Sequence, residues 1–362
     1  MTLQADAAAA SFGARIVAWQ AVHGRHDLPW QNTRDPYRIW VSEIMLQQTQ
    51  VAAVIPFYLR FMERFPDVQA LAGATLDVVL EHWSGLGYYA RGRNVHRAAQ
   101  IIVQQHAGRF PDTVEAVAAL PGVGRSTAAA ICVFAFGARA AILDGNLKRV
   151  LARHQGIEGY PGHKPVQDRL WQRAEALLPD TDPEGYTQGM MDLGSQLCLR
   201  NKPACGLCPV AQDCSARVIG AIARFPAPRP AKVLPQRETT MLILQHAREV
   251  LLQKRPASGI WGGLWSFPEV ERDFCEQAAA QFGVEVRSVT VLRPLEHGFT
   301  HYKLRIHPVL IEVGRPGVSA EEASCVWLPV EEALGSAIPT PVRRILRSLV
   351  SSRSETPLPF GV

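Results

Sequence analysis

The segment Arg224–Arg237, RFPAPRPAKVLPQR, divides this chain into two parts of different periodicity. It holds four prolines, four basic residues and no acidic one. Proline blocks helix continuation and stiffens the backbone, so the stretch reads as a connector that can run along a polyanion or serve as a plain linker. Before it, apolar residues recur at three- and four-residue spacing through Ile16–Val22, Val51–Phe65, Leu76–Trp83, Val95–Val103 and Ala128–Phe136, as amphipathic helices require. After it, period-two runs take over in Thr240–Gln245, Val250–Gln253, Val284–Leu292, Leu304–Ile311 and Val326–Leu328. Helical stretches at Phe274–Phe282 and Val342–Leu349 interrupt or close them. The expected layout is an all-α domain over 1–223, a connector at 224–237, an α+β domain over 238–350 and a tail at 351–362. The length of 362 residues suits two domains, and 47% apolar residues against 20% charged ones provide cores for both.

The formal net charge of +5 is too mild to argue for nucleic acid. Its distribution says more. From His82 to Pro111 there is no acidic residue, while Arg91, Arg93, Arg97 and Arg109 and the histidines at 82, 96 and 106 fall there. Phosphate neutralisation needs such a one-sign surface, although a solvated helix face gives the same pattern. The longest apolar stretch, Ala128–Leu143, is broken by Arg139 and is too short to span a bilayer. Asp6 and the lack of a basic N-terminal region speak against a secretory signal, so a cytoplasmic location is expected, nucleoid-associated in a bacterium.

Four of seven cysteines crowd into one stretch, Cys198, Cys205, Cys208 and Cys214, spaced C-x6-C-x2-C-x5-C. Without an export signal this pattern points to metal binding rather than disulfides. Zinc and a four-iron cluster compete. Zinc sites usually pair two C-x2-C knuckles, and one occurs here; the wider loops favour a 4Fe-4S cage. Cys132, Cys275 and Cys325 lie in apolar runs and read as core.

Asp35-Pro36 is a helix start, and that helix is expected to carry Trp40, Glu43 and Gln47 on one face. Glu43 sits between Ile39-Trp40-Val41 and Ile44-Met45-Leu46, where burial raises the pKa of a carboxyl group. Leu120-Pro121-Gly122-Val123-Gly124 joins two helical runs, 113–119 and 125–136, as a tight turn whose N–H groups suit phosphate. Leu143-Asp144-Gly145-Asn146 follows, with Asp144 either a simple N-cap or a carboxylate aimed at a sugar.

The segments VSEIMLQQTQ (41–50), GLGYYAR (85–91), LPGVGRSTA (120–128) and LDGN (143–146), together with the four cysteines, occur in order. In combination they closely resemble the MutY family of adenine DNA glycosylases, within the endonuclease III superfamily, over nearly the whole chain. The resemblance implies a helix-hairpin-helix domain with a 4Fe-4S cluster, followed by a Nudix-like domain. The implied substrate is double-stranded DNA with adenine opposite 8-oxoguanine or guanine. The implied product is an abasic site, and the implied state a monomer with no membrane contact. By resemblance Glu43 protonates the adenine ring and later activates water, Asp144 stabilises or captures the sugar cation, and Asn146 orients Asp144. Gln48 and Tyr88 match positions that probe the duplex, and Gly122, Gly124 and Ser126 belong to the DNA-binding hairpin. Trp30, Leu46 and Gln188 fall at adenine-pocket positions, the family often having an acid where this chain has Gln188. Phe299-Thr300-His301 stands where the family has Phe-Ser-His for 8-oxoguanine.

Bifunctional lyases of the superfamily carry a nucleophilic lysine in the hairpin, where this chain has Ser126. A monofunctional glycosylase is therefore expected over a bifunctional pyrimidine lyase or a non-catalytic DNA-binding module. The stretch Pro268–Gly283 offers only Glu269, Glu271, Asp273 and Glu276, too few acids in the wrong pattern for a magnesium-dependent Nudix hydrolase.

Overall fold

The computed structural model describes residues 11–231, 233–257, 259–270, 279, 282–314 and 324–351. The chain forms two compact units. The first comprises residues 1–73 and 94–231, the second 74–93 and 232–362. The helical stretch 74–93 thus groups with the sheet that follows the connector.

The first unit is helical. It contains α1 (Phe12–His23), α2 (Pro36–Leu46), α3 (Val51–Arg64) and α4 (Val68–Gly73). α5 (Leu76–Trp83) lies in the second unit, and the division falls within α6 (Ala90–Gln105). The first unit continues with α7 (Val114–Ala118), α8 (Arg125–Phe136), α9 (Gly145–His154), α10 (Lys164–Ala176), α11 (Pro183–Asp192) and α12 (Ser215–Val218). Asp35 caps α2 by accepting from the Tyr37 N–H, and Pro36 occupies the first turn, where its missing N–H is harmless. α8 ends at Gly137, whose φ of +68° a glycine adopts without strain. A buried cluster that includes Ile16, Leu151, Leu170, Met190 and Leu193 holds α1, α9, α10 and α11 together.

Two expectations need correction. α2 ends at Leu46, so its face carries Trp40 and Glu43 while Gln47 lies beyond it as the C-cap. The backbone leaves the helix at Gln47 itself, whose ψ is 113°, and Gln48 follows at φ +59°. The acid-free stretch 82–111 is also not one basic surface. Arg91 and His96 are buried, and Arg93 Nη1 donates to the Gly262 carbonyl at 2.7 Å. Arg97 and Arg109 alone among its arginines are exposed, because the period of α6 turns its other side chains inward.

The second unit is built on a mixed eight-stranded sheet: β1 (Gln236–His246), β2 (Glu249–Lys254), β3 (Trp265–Ser266), β4 (Glu269–Val270), β5 (Val286–Val291), β6 (Leu295–Gly298), β7 (Lys303–Val313) and β8 (Cys325–Pro329). The main path runs β3-β2-β1-β7-β5, with β4 on β1, β6 on β7 and β8 on β2. β1 and β7 pair in parallel from Gln236↔Lys303 to Gln245↔Glu312. α13 (Val330–Gly335) and α14 (Thr340–Ser351) follow the sheet. Leu242, Leu244, Leu251 and Ile311 form its core. The expected helix at 274–282, with Cys275 and Glu276, lies almost entirely outside the described residues, as do Glu271, Asp273 and most of the tail. No helix among the described residues is long and apolar enough to cross a membrane.

Candidate active site

Glu43 lies in the last turns of α2, flanked by the buried Ile39, Trp40, Val41, Ile44 and Met45. It opens into a cavity of about 310 Å³ formed within the first unit. Trp30, Leu46 and Gln188 line the same cavity, so the structure brings together all three side chains that the sequence assigned to a base pocket. Trp30 is also a packing residue, edge-on to Tyr58 at 5.3 Å. Burial, followed by the charge of Asp144, pushes the Glu43 carboxyl up to about 8. Nothing resolved pulls it back, so Glu43 holds a proton at neutral pH.

Asp144 is the N-cap of α9. Its Oδ1 accepts from the Leu147 N–H at 2.7 Å. The cap reading is met, and the same carboxylate is the charge that Glu43 feels. Burial raises the Asp144 pKa on balance, and the N–H groups of Leu147 and Asn146 and the cations Arg149 and Lys148 offset part of the rise. Of the two coupled acids, Asp144 alone has groups that favour the ionised form.

The hairpin connects directly to this cap. Ser126, on the first turn of α8, accepts from the Leu143 N–H at 2.9 Å, one residue before Asp144. Gly122 has φ +78°, and a Cβ there would come within 2.8 Å of Asn94 Cβ. Only glycine fits. Gly124 caps α8 without a side-chain acceptor, which leaves the positive helix end open to an anion. Gln48 is exposed at φ +59°, and Tyr88 is half-exposed at φ +49° beside the positive-φ glycines 85 and 87. Side chains held in this sparsely populated region cost about 1–3 kcal/mol each and recur at functional sites.

The Asn146 side chain bonds within α9 to Arg149, which in turn bonds to the loop beyond α11. Asn146 Oδ1 accepts from Arg149 Nη2 at 2.9 Å, and Arg149 Nε donates to the Cys198 carbonyl at 2.7 Å. The Asn146 backbone N–H faces Asp144. Arg153 Nη1 lies 3.4 Å from Cys198 Sγ. All four cysteines of this loop are half-buried and free of disulfides. No group of three or more His, Cys, Asp or Glu side chains among the described residues forms a single-ion site. Burial pushes the Cys208 thiol up to about 11, and the nearby Cys198, Cys214 and Cys205 add to the rise. Four cysteine side chains in one loop, with a guanidinium group beside Cys198, are a donor set that fits a polynuclear cationic centre.

In the second unit, Phe299-Thr300-His301 forms the turn between β6 and β7. Phe299 stacks on Tyr302 at 4.7 Å, while Thr300 and His301 are exposed. Trp261, with φ +54°, packs its ring 5.5 Å from both His297 and Phe299. Sequence reasoning missed these supports, and it missed Arg25 and Asp192, which meet 167 positions apart. No local pattern announces such pairs.

The first unit thus combines an open glycine hairpin with a protonated glutamic acid in a cavity and an aspartate coupled to it. A family model described as HhH-GPD superfamily base excision DNA repair protein matches residues 41–176, and one described as NUDIX domain matches 239–348. The adenine DNA glycosylase of Buchnera aphidicola subsp. Baizongia pistaciae is 34% identical, over 92% of this chain and 95% of its own. The adenine DNA glycosylase of Homo sapiens is 32% identical, over 93% of this chain and 73% of its own. A solved thermostable thymine-DNA glycosylase is 28% identical with a TM-score of 0.53, covering 60% of this chain and 100% of its own. The chain belongs to the adenine DNA glycosylase family.

Proposed function

We propose that this protein hydrolyses the N-glycosidic bond of adenine mispaired with 8-oxoguanine or guanine in double-stranded DNA. It acts as a monomer and leaves an abasic site. The carrying observation is Glu43, a carboxylic acid held protonated in the cavity and coupled to Asp144. Anionic adenine is a poor leaving group, so the base must be protonated as it departs. Glu43 supplies that proton to the ring. Asp144, which alone of the pair has groups favouring its charge, stabilises the oxocarbenium ion that develops on the sugar. Glu43, now ionised, takes a proton from the water that completes hydrolysis.

A base inside a duplex is out of reach of this cavity and has to be extruded. Gln48 and Tyr88, each exposed and locally strained, suit probing of the duplex, while Gly122, Gly124 and the start of α8 grip phosphate. Thr300 presents a hydroxyl from an aromatic-braced turn, which suits hydrogen bonding to an oxidised guanine. Ser126 holds a backbone N–H and has no amine to attack the sugar, which disfavours lyase chemistry.

Cys198, Cys205, Cys208 and Cys214 would hold a 4Fe-4S cluster. When bound, the cluster fastens the loop 198–214 and supplies no reacting atom. About four irons per chain and a visible thiolate-to-iron absorption band are expected; a colourless protein with stoichiometric zinc contradicts this. Single-turnover base release from duplexes with adenine opposite 8-oxoguanine, guanine and thymine tests the substrate. Release is expected in that order of decreasing rate, and indifference to the opposite base contradicts the reading.

A further inference from the structure

Thr300 and His301 are the two tip residues of the hairpin formed by β6 and β7. The pairing from Leu295↔Ile306 to Gly298↔Lys303 continues to Phe299, whose N–H donates to the Tyr302 carbonyl at 2.9 Å. A two-residue hairpin loop normally keeps its shape through positive φ angles, which match the turn to the twist of the strands. Neither tip residue is among the described residues with positive φ. The tip is also exposed, so its conformation is set by what packs on the residue before it, Phe299.

That packing comes from the turn between β2 and β3. Trp261 is 9% exposed, and its ring lies 5.5 Å from both His297 and Phe299. The rings of His297 and Phe299 meet edge-on at 4.6 Å, which closes a triangle of three rings. Trp261 has φ +54°, in the left-handed region, where a bulky side chain persists only if its surroundings over-determine it. They do so here. The Arg255 N–H donates to the Leu264 carbonyl at 2.9 Å, and the Leu264 N–H to the Trp261 carbonyl at 3.0 Å. Arg255 Nε donates to the Ile260 carbonyl at 3.0 Å, and Arg93 Nη1 to the Gly262 carbonyl at 2.7 Å. A Cβ at position 262 would come within 2.6 Å of the Ala257 carbonyl oxygen, so the chain passes there as glycine. Burying an indole does not require a strained backbone; directing it at one neighbour does.

The geometry assigns Trp261 as a positioning residue for recognition of the base opposite adenine, bracing Phe299 and His297 so that the Thr300 hydroxyl is presented in one place. 8-Oxoguanine differs from guanine by a C8 carbonyl and an N7–H, both hydrogen-bonding groups. A hydroxyl that must first be ordered loses much of the free energy that would separate the two bases. The proposal rests on the reading that Thr300 meets the oxidised guanine.

The test is single-turnover excision by the full-length protein of adenine opposite 8-oxoguanine and opposite guanine, read as the ratio of the two rates. Thr300→Val is expected to lower the ratio about tenfold, the value of one hydrogen bond. Trp261→Leu is expected to produce most of that loss while excision opposite guanine keeps its rate. Trp261→Phe, which keeps a ring face, is expected to hold the wild-type ratio. In the double variant the ratio falls no further than in Thr300→Val, because both changes act through one hydroxyl. Hydrogen exchange over β1 and β7 checks that the second unit stays folded. Should Trp261→Leu lose that protection, His297→Ala, which removes the half-buried third ring, takes its place under the same criteria. A wild-type ratio in Trp261→Leu, or a loss that multiplies with that of Thr300→Val, overturns the role of Trp261 and leaves that of Thr300 standing. An unchanged ratio in Thr300→Val overturns the reading of Thr300 and the proposal with it.

Discussion

Glu43→Gln lowers single-turnover release of adenine by about 10³-fold while leaving duplex binding largely intact. Glutamine fills the same volume, so the apolar surround of Ile39, Trp40 and Ile44 stays packed. What is lost is the proton. The pH dependence identifies it. Burial raises the Glu43 carboxyl from its ordinary 4.5 to about 8, so the folded form keeps the proton to higher pH than the unfolded chain does. Its contribution to stability is fully present below about 4.5 and is lost as pH rises to about 8. Base release follows the same group: it is sustained through neutral pH and declines above about 8. Glutamine does not titrate, so both dependences are expected to vanish in the variant. A wild-type rate that rises through pH 8 assigns the proton to another residue.

Asp144→Asn is expected to reduce the rate by about 10²–10³-fold with little change in melting temperature. Asparagine caps helices as well as aspartate does, so the bond to the Leu147 N–H survives. The negative charge next to the developing sugar cation does not. Asp144→Ala removes both and is expected to lose about 1 kcal/mol of stability in addition. Comparing the two separates the cap from the chemistry. If Asp144→Asn kept full activity and Asp144→Ala alone failed, the aspartate would be a structural cap.

Much of the site was legible because it depends on local sequence. Asp35-Pro36 announced α2, and the apolar neighbours of Glu43 announced its burial. The glycine turn before α8 announced the hairpin. What remained hidden was tertiary. Gly122 is required by Asn94, a residue on another helix. Gln47 falls outside α2 because its own ψ is extended and Gln48 after it is left-handed, which no propensity suggests for glutamine. Arg91 and His96 looked like surface charge and are buried; the same period that exposes Arg97 turns them inward. The ion pair between Arg25 and Asp192 spans 167 positions, and residues 74–93 group with a sheet that begins far downstream. Sequence pattern reports which face of an element is apolar, but not which distant element meets it.

The central claim is that Glu43 and Asp144 release a base and that the reaction stops there. The most direct measurement is a single-turnover time course on a duplex with adenine opposite 8-oxoguanine, with each sample split between alkaline and neutral work-up. The expected result is stoichiometric adenine release, a strand intact at neutral pH, and cleavage at the abasic site only after alkali. Strand breaks that keep pace with base release without alkali, or an intact duplex that binds and never loses adenine, would contradict the account.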